Sequence, residues 1–282
     1  MRFFACKEDL SHERVDLRGA EATLLMALYL RDRDARSPRP ILGDTYASEV
    51  MERIDYDFAA LRRLVLRCLD RGVPRRAPQR PGAAPGLRPA QPAAARRPPE
   101  ASRWIDVDFP DVIELRRRLY DLPASVETIP SSVTDIAWWD QMSSERPTLV
   151  LGEGLFMYLD GDDVHAVIDR AARTCPSGQL AFDAVAPWTI AVSNRTKEFR
   201  RTEARFRWAF DAEDFEARHP TLRRCDERSV TSVAAPVIPQ PLLRACYRAL
   251  DTIPILRDAM RLHRYDFGTA TTRRSVAPPD ER

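Results

Sequence analysis

Glycine is scarce in this chain and proline is not: 282 residues hold 10 glycines and 23 prolines, an unusual balance for an α/β protein. Cysteine is sparse as well. Cys6, Cys68, Cys175, Cys225 and Cys246 stand singly with no C-x-x-C pair, and His12, His165, His219 and His263 are isolated along the chain. That spacing argues against a zinc site and a disulfide framework, and it points to a reducing compartment. Neither sign of charge dominates, with 44 Lys plus Arg against 42 Asp plus Glu, so no overall field draws the chain to nucleic acid or anionic lipid. Long apolar runs are missing too. The longest, TLLMALYL (23–30), is far too short to span a bilayer, and MRFFACKEDL lacks the order of a signal peptide. The expectation is a soluble cytoplasmic protein that makes no contact with membrane or nucleic acid.

What is present is ample core material, since 44% of the residues are apolar. Residues 19–36 and 48–69 carry apolar side chains at helical spacing, with Met51, Ile54, Phe58, Leu61 and Val65 on one stripe of the second segment. From residue 103 the pattern alternates. RWIDVDF (103–109) predicts a strand, PDVIELRRRLYDL (110–122) a helix opened by proline, and SVETIPSSV (125–133) a second strand. TDIAWWDQM (134–142) predicts a short helix, RPTLVLGEGLFMYL (146–159) an apolar strand and loop, GDDVHAVIDRAART (161–174) a helix, and QLAFDAV (179–185) a strand. Helices at 211–219 and 240–253, a last strand at 262–268 and an irregular segment at 187–230 complete the reading. The alternation implies an α/β fold with a doubly wound, mostly parallel, Rossmann-like sheet, preceded by an N-terminal helical lid.

Such a sheet begins with a strand and a glycine-rich turn, because only glycine lets backbone N–H groups approach a nucleotide-like ligand closely. RWIDVDF, which ends in an acid, occupies the second strand's place. The first strand and its turn belong near residues 80–97, where the sequence reads RPGAAPGLRPAQPAAARRPP (80–99), without an aromatic, a β-branched residue or an acid. Proline at this density cannot donate a ladder of hydrogen bonds. Read instead as a basic arm, residues 71–103 hold eight arginines against Glu100, but they lack the aromatics that stack on bases.

The pieces EATLL…YLRDRD, ILGDTYASEV, WIDVDFPDVIELRRRL, SSVTDIAWW and LVLGEGLFMYL, in this order, resemble the class I S-adenosylmethionine-dependent methyltransferases of the leucine carboxyl methyltransferase type. Within that type the chain looks most similar to the bacterial branch often described as polyketide O-methyltransferases. The resemblance covers most of residues 15–270 and implies S-adenosylmethionine as cofactor and a small-molecule methyl acceptor, methylated on a carboxyl or hydroxyl group. An inactive relative that has lost the glycine turn is the alternative. The family carries L-G-x-G-L-[DN]-[ST]-R where this chain has its Arg/Pro/Ala stretch. If the last two bases of each codon are joined to the first base of the next, residues 85–90 permit Leu, Gly, Cys, Gly, Leu, and residues 96–99 permit Val, Asp, Pro. Residues 69–100 therefore read as a compensated frameshift of a GC-rich gene or of its sequencing. The expected organisation is a lid at 1–70, the irregular segment at 71–102, the α/β core at 103–270 and a tail at 271–282.

Within that frame Asp108, at the carboxyl end of the second strand, is the expected partner of both ribose hydroxyls, with Asp106 as substitute and a helix cap as the plainer role. Ser132 and Val133 stand where the family commonly holds an Asp-Leu pair beside the adenine. There the alternative is a cap supplied by Thr134 or Asp135. Glu153, between Gly152 and Gly154, falls past the fourth strand and is expected at the cofactor, or else is an exposed loop acid. Tyr158 lines the pocket or belongs to the core. Arg31 is expected either to reach the methionine carboxylate or to be a solvated helix arginine. No metal ligand set and no general base are identified.

Overall fold

A computed structural model of the protein describes residues 5–6, 13–15, 22–36, 40, 44–56, 103–121, 126–142, 146–196, 199–200, 204–238 and 240–268. The irregular stretch at 71–102 and the tail at 271–282 lie outside these residues, as do Phe58, Leu61 and Val65. The described residues fall into two compact units. One draws on residues 1–135, 193–205 and 231–253, the other on residues 136–192, 206–230 and 254–282.

In the first unit the strands are β1 (Ala5–Cys6), β2 (Glu13–Arg14), β3 (Ile54–Asp55), β4 (Trp104–Asp108), β5 (Tyr120–Asp121) and β6 (Val126–Pro130). Helices α1 (Ala22–Ala35), α2 (Thr45–Arg53) and α3 (Pro110–Leu119) accompany them. Asp44 caps α2 by accepting the Ala47 N–H, and Arg53 ends it. The expected helix over 48–69 is thus interrupted after Arg53, and its residues 57–69 lie outside the described ones. Ile54 takes an extended backbone, and Ile54 and Asp55 pair in parallel with Glu13 and Arg14. β-Branched isoleucine gives up little by leaving a helix for a strand. Val15, Leu25, Tyr29, Val50, Ile54, Leu115 and Leu119 form the core here.

The positioning element of this unit is β4–α3–β6. β4 and β6 run parallel, with Trp104 opposite Val126 and Asp108 opposite Pro130. Pro110 at the first helical position costs α3 no hydrogen bond, since that N–H has no intrahelical partner anyway. Asp111 in the first turn and Arg116, Arg117 and Arg118 in the last complement the helix dipole. Val112, Ile113, Leu115 and Leu119 are its buried face.

The second unit holds a four-stranded sheet of β7 (Thr148–Gly152), β8 (Ser177–Val185), β9 (Arg223–Ser229) and β10 (Met260–Gly268), in the order β7-β8-β10-β9. β7 and β8 are parallel, and β10 runs against both β8 and β9. With the strands stand α4 (Gly161–Thr174), α5 (Pro187–Ser193, all but Ser193 in this unit) and α6 (Ala212–Arg218), and 3₁₀ turns at Ala137–Gln141 and Phe156–Tyr158. α7 (Val230–Val237) and α8 (Pro241–Thr252) belong to the first unit but for Val230, and α9 (Pro254–Arg257) to the second. Helix α4 spans the range its sequence predicts, with Asp162 and Asp163 in the first turn and Val164, Val167, Ile168 and Ala171 buried. Residues 223–229, expected to be irregular, form β9. RRCDERS has no apolar alternation, and its order comes from pairing with β10.

Phe182 is the hub of this core, ringed by Phe156, Trp208, Phe210, Phe215, His263 and Tyr265 at centroid distances of 5.2–6.4 Å. β7 is bare by comparison. Leu149 and Leu151 share one face of the strand and are 60% and 56% exposed. Among the described residues β8 is the only strand paired with β7, and β6 the only strand paired with β4.

Candidate cofactor site

The carboxyl ends of parallel strands are where open α/β sheets bind ligands, because the strands stop and the connecting loops splay apart there. In the first unit β4 ends at Asp108 and β6 at Pro130, directly opposite. The Ser131 N–H bonds to the Asp108 carbonyl at 2.9 Å, tying the two strand ends. The Asp108 carboxylate accepts the Phe109 N–H at 2.9 Å. It does not cap α3, whose first turn closes on the Phe109 carbonyl through the Ile113 N–H. Burial raises the Asp108 carboxyl above the ordinary acid range, opposed by the Phe109 N–H and the Arg116 charge. Asp106 is otherwise engaged. Trp104 Nε1 donates to one of its oxygens at 2.6 Å and Arg116 to the other at 2.8 Å.

Ser132 follows on the same rim. Its hydroxyl lies 2.8 Å from Thr134 Oγ1 and accepts the Thr134 N–H at 3.3 Å, a local turn beside half-buried Val133. The structure thus brings Asp108, Ser132 and Val133 onto adjacent strand ends. The 3₁₀ turn that follows has Ile136 at its head and no side-chain cap, so neither Thr134 nor Asp135 caps it. Arg31, half-exposed on α1, lies 3.8 Å from Asp44, the acid that caps α2.

In the second unit β7 ends at Gly152, and the chain turns through Glu153 and Gly154 into the Phe156–Tyr158 turn. Glu153 is exposed. Gly154 has φ +60°, the left-handed region that costs glycine nothing, and a side-chain carbon on Gly152 would stand 3.3 Å from the Phe156 ring. Both glycines of this turn are thus used, one for conformation and one for a close approach. Beneath it lies an acid that sequence reasoning passed over. Asp183, only 6% exposed on β8, accepts the Gly154 N–H at 2.7 Å. Burial raises its carboxyl, the Gly154 N–H opposes that, and the Glu153 charge adds to it. A lone acid inside the apolar run LAFDAV was the available signal. Tyr158, half-buried, meets the edge of Phe206 at 5.2 Å.

Two histidines read as isolated are in contact. His165 Nδ1 lies 2.8 Å from His219 Nε2, and His219 Nδ1 lies 2.8 Å from Asp169. A carboxylate only accepts, so His219 donates through Nδ1; with its ring neutral, His219 Nε2 accepts a hydrogen bond from the His165 Nδ1–H. Three or more acid, His or Cys groups placed to hold a metal ion do not occur among the described residues. Nor is any described helix long and apolar enough to cross a membrane.

In the first unit Asp108 offers a half-buried carboxylate acceptor at the end of β4, and in the second Glu153 stands exposed past the end of β7. Carboxylates accept from hydroxyl groups and attract cationic charge.

The fold defines the class first: a mixed α/β protein with the parallel strand pairs β4–β6 and β7–β8. Over 270 aligned residues the chain is 38% identical to the tetracenomycin polyketide synthesis O-methyltransferase TcmP of Streptomyces glaucescens, spanning 90% of this chain and 99% of that protein. It is 31% identical over 235 residues to the S-adenosyl-L-methionine-dependent methyltransferase dpfgK of Gibberella zeae, spanning 72% and 79%. No family model matches the chain. Among solved structures, a DUF574 family protein from Streptomyces avermitilis aligns over 58% of this chain and 64% of its own, at 15% identity and a TM-score of 0.42. A SAM-dependent methyltransferase from Anabaena variabilis aligns over 58% and 68%, at 10% identity and a TM-score of 0.39. The chain belongs to the S-adenosylmethionine-dependent methyltransferases. None of these comparisons favours the inactive alternative.

Proposed function

We propose that the protein is a cytoplasmic O-methyltransferase of small molecules, acting on a carboxyl or hydroxyl group of a polyketide-related acceptor. The similarity to TcmP along nearly the whole of that enzyme carries this reading. When bound, S-adenosylmethionine supplies a methyl group on a sulfonium, ready for in-line transfer to oxygen. The chain's own residues bind and orient it. Asp108 accepts the ribose hydroxyls, Ser132 and Val133 flank the adenine, Glu153 faces the cofactor from the end of β7, and Arg31 receives the methionine carboxylate. Transfer of this kind draws mainly on positioning and the exclusion of water. A carboxylate acceptor needs no base, whereas a hydroxyl acceptor needs one to take its proton. Calorimetry with S-adenosylmethionine tests the reading: micromolar binding, weakened about tenfold or more in D108A with the fold intact, supports it. Equal binding by wild type and D108A removes Asp108 from the site, and no binding at all overturns the proposal.

The organisation we propose keeps residues 1–70 as an N-terminal helical lid and 103–270 as the α/β core, with 71–102 as the frameshifted remnant of the first strand and glycine turn. In a doubly wound sheet the first strand lies beside the second. β4, which holds the second place, has one partner strand, β6, among the described residues. The gene's nucleotides decide it. The shifted frame must yield an apolar strand and a glycine-rich turn across codons 80–93, and a frame without them refutes the frameshift.

A further inference from the structure

We propose that Asp183 is a positioning residue, which holds the Glu153–Gly154 turn in the form that presents Glu153 to the cofactor; the inference rests on the reading of Glu153 given above. A glycine turn with a left-handed residue is free to take other forms, because glycine adopts both signs of φ with equal ease. Something must fix it. Gly154 is itself exposed, and a side-chain carbon built on it would meet nothing within 4 Å, so packing does not hold it. What holds it is the hydrogen bond from its N–H to Asp183, at 2.7 Å and across 29 residues of chain.

The choice of residue on β8 is informative. Its neighbours Phe182, Ala184 and Val185 are all buried apolar side chains, and an apolar residue at 183 would be the cheaper occupant. A buried carboxylate is tolerated where it gains a charge-assisted bond, which is shorter and stronger than a neutral one. The strand register delivers it to the right place. Gly152 pairs with Phe182, so Asp183 falls one step beyond the last pair, directly below the turn. The ring of Phe156 covers Gly152 from the other side of the turn and packs on Phe182, which anchors the start of the turn as Asp183 anchors its middle. The Glu153 and Asp183 charges repel, which favours a turn that sends the Glu153 carboxylate outward.

Amide hydrogen exchange on the full-length protein, labelled with ¹⁵N-glycine, reads the clamp directly. The Gly154 amide should exchange at least about tenfold more slowly than an open-loop glycine, as expected for a bond to a charged acceptor. Asp183→Asn keeps an acceptor oxygen and should keep that protection, with S-adenosylmethionine affinity within about threefold of wild type. Asp183→Leu should lose the protection and at least about tenfold in affinity, even where its melting curve matches wild type. An unprotected Gly154 amide in the wild-type protein overturns the clamp without any variant. Full affinity in folded Asp183→Leu overturns the positioning role. Glu153→Gln separates the two readings: if it leaves affinity unchanged, the placement of Glu153 at the cofactor fails even though Gly154 stays protected. If it weakens binding while Asp183→Leu does not, the positioning role alone fails.

Discussion

Acid should weaken this protein in part through one buried ring, that of His263. His263 is 3% exposed on β10, its imidazole stacked on Phe182 at 5.2 Å and tilted against Phe210 at 4.0 Å. Burial pushes its pKa from 6.5 down to about 4, and the charges of Arg261 and Arg224 push the same way. Glu227, 3.8 Å from Nδ1, does not compensate, because Arg224 and Arg261 already hold its carboxylate at 3.0 Å each. The native state therefore keeps His263 neutral while the unfolded chain takes up a proton as pH falls below about 6.5. A depressed histidine contributes stability that is complete above the unfolded pKa and lost as pH falls toward the folded one. At about 1.4 kcal/mol per pH unit, the loss between pH 7 and pH 5 comes to about 2 kcal/mol. Urea unfolding of wild type and H263F at those two pH values measures it. Phenylalanine keeps the aromatic stack and removes the titration, so wild type should lose about 2 kcal/mol more than H263F over the interval. His165, which burial also lowers, is present in both proteins and cancels. Equal losses in the two proteins would refute the reasoning.

Three further outcomes follow from positions already described. Ile113→Ala removes a side chain that is 0% exposed on α3 and should cost about 2–5 kcal/mol in denaturant unfolding, with a cost below about 1 kcal/mol showing that the site collapses freely. Gly154→Ala adds no clash but forces a side chain into the left-handed region, so its cost should be about 1–2 kcal/mol and purely conformational. A crystal structure with the turn unchanged, alongside that cost, is the check. His219→Phe breaks both links of the Asp169–His219–His165 chain and should destabilise by about 1–3 kcal/mol, and a variant as stable as wild type would show that the chain is idle.

Legibility of the fold in the sequence tracked the distance over which each element is determined. Helix α4 carries its own start signal, dipole complement and apolar stripe, and the structure keeps its expected bounds. Strand β10 alternates His263, Tyr265 and Phe267 inward, a period-two pattern visible in the letters. β9 carries no such pattern, since Arg223, Arg224 and Arg228 are exposed and its order is borrowed from the strand beside it. Helix α2 ends early because a two-residue strand from the distant segment at Glu13–Arg14 competes for Ile54 and Asp55. The same holds for side chains. Asp108 could be found because a strand ends on it, whereas Asp183 and the His165–His219 pair work through partners 29 and 54 residues away.

The two leucines on the open face of β7 have a consequence for handling the protein. Thr148–Gly152 is apolar, with neither lysine nor proline inside it, and among the described residues it is paired on one edge alone, so its short length and the flanking Arg146, Pro147 and Glu153 are what limit pairing with another molecule. Exposed leucines on such a strand favour self-association, which rises with protein concentration. Charged substitution at Leu149 or Leu151 is accordingly the first change to make when preparing it at high concentration.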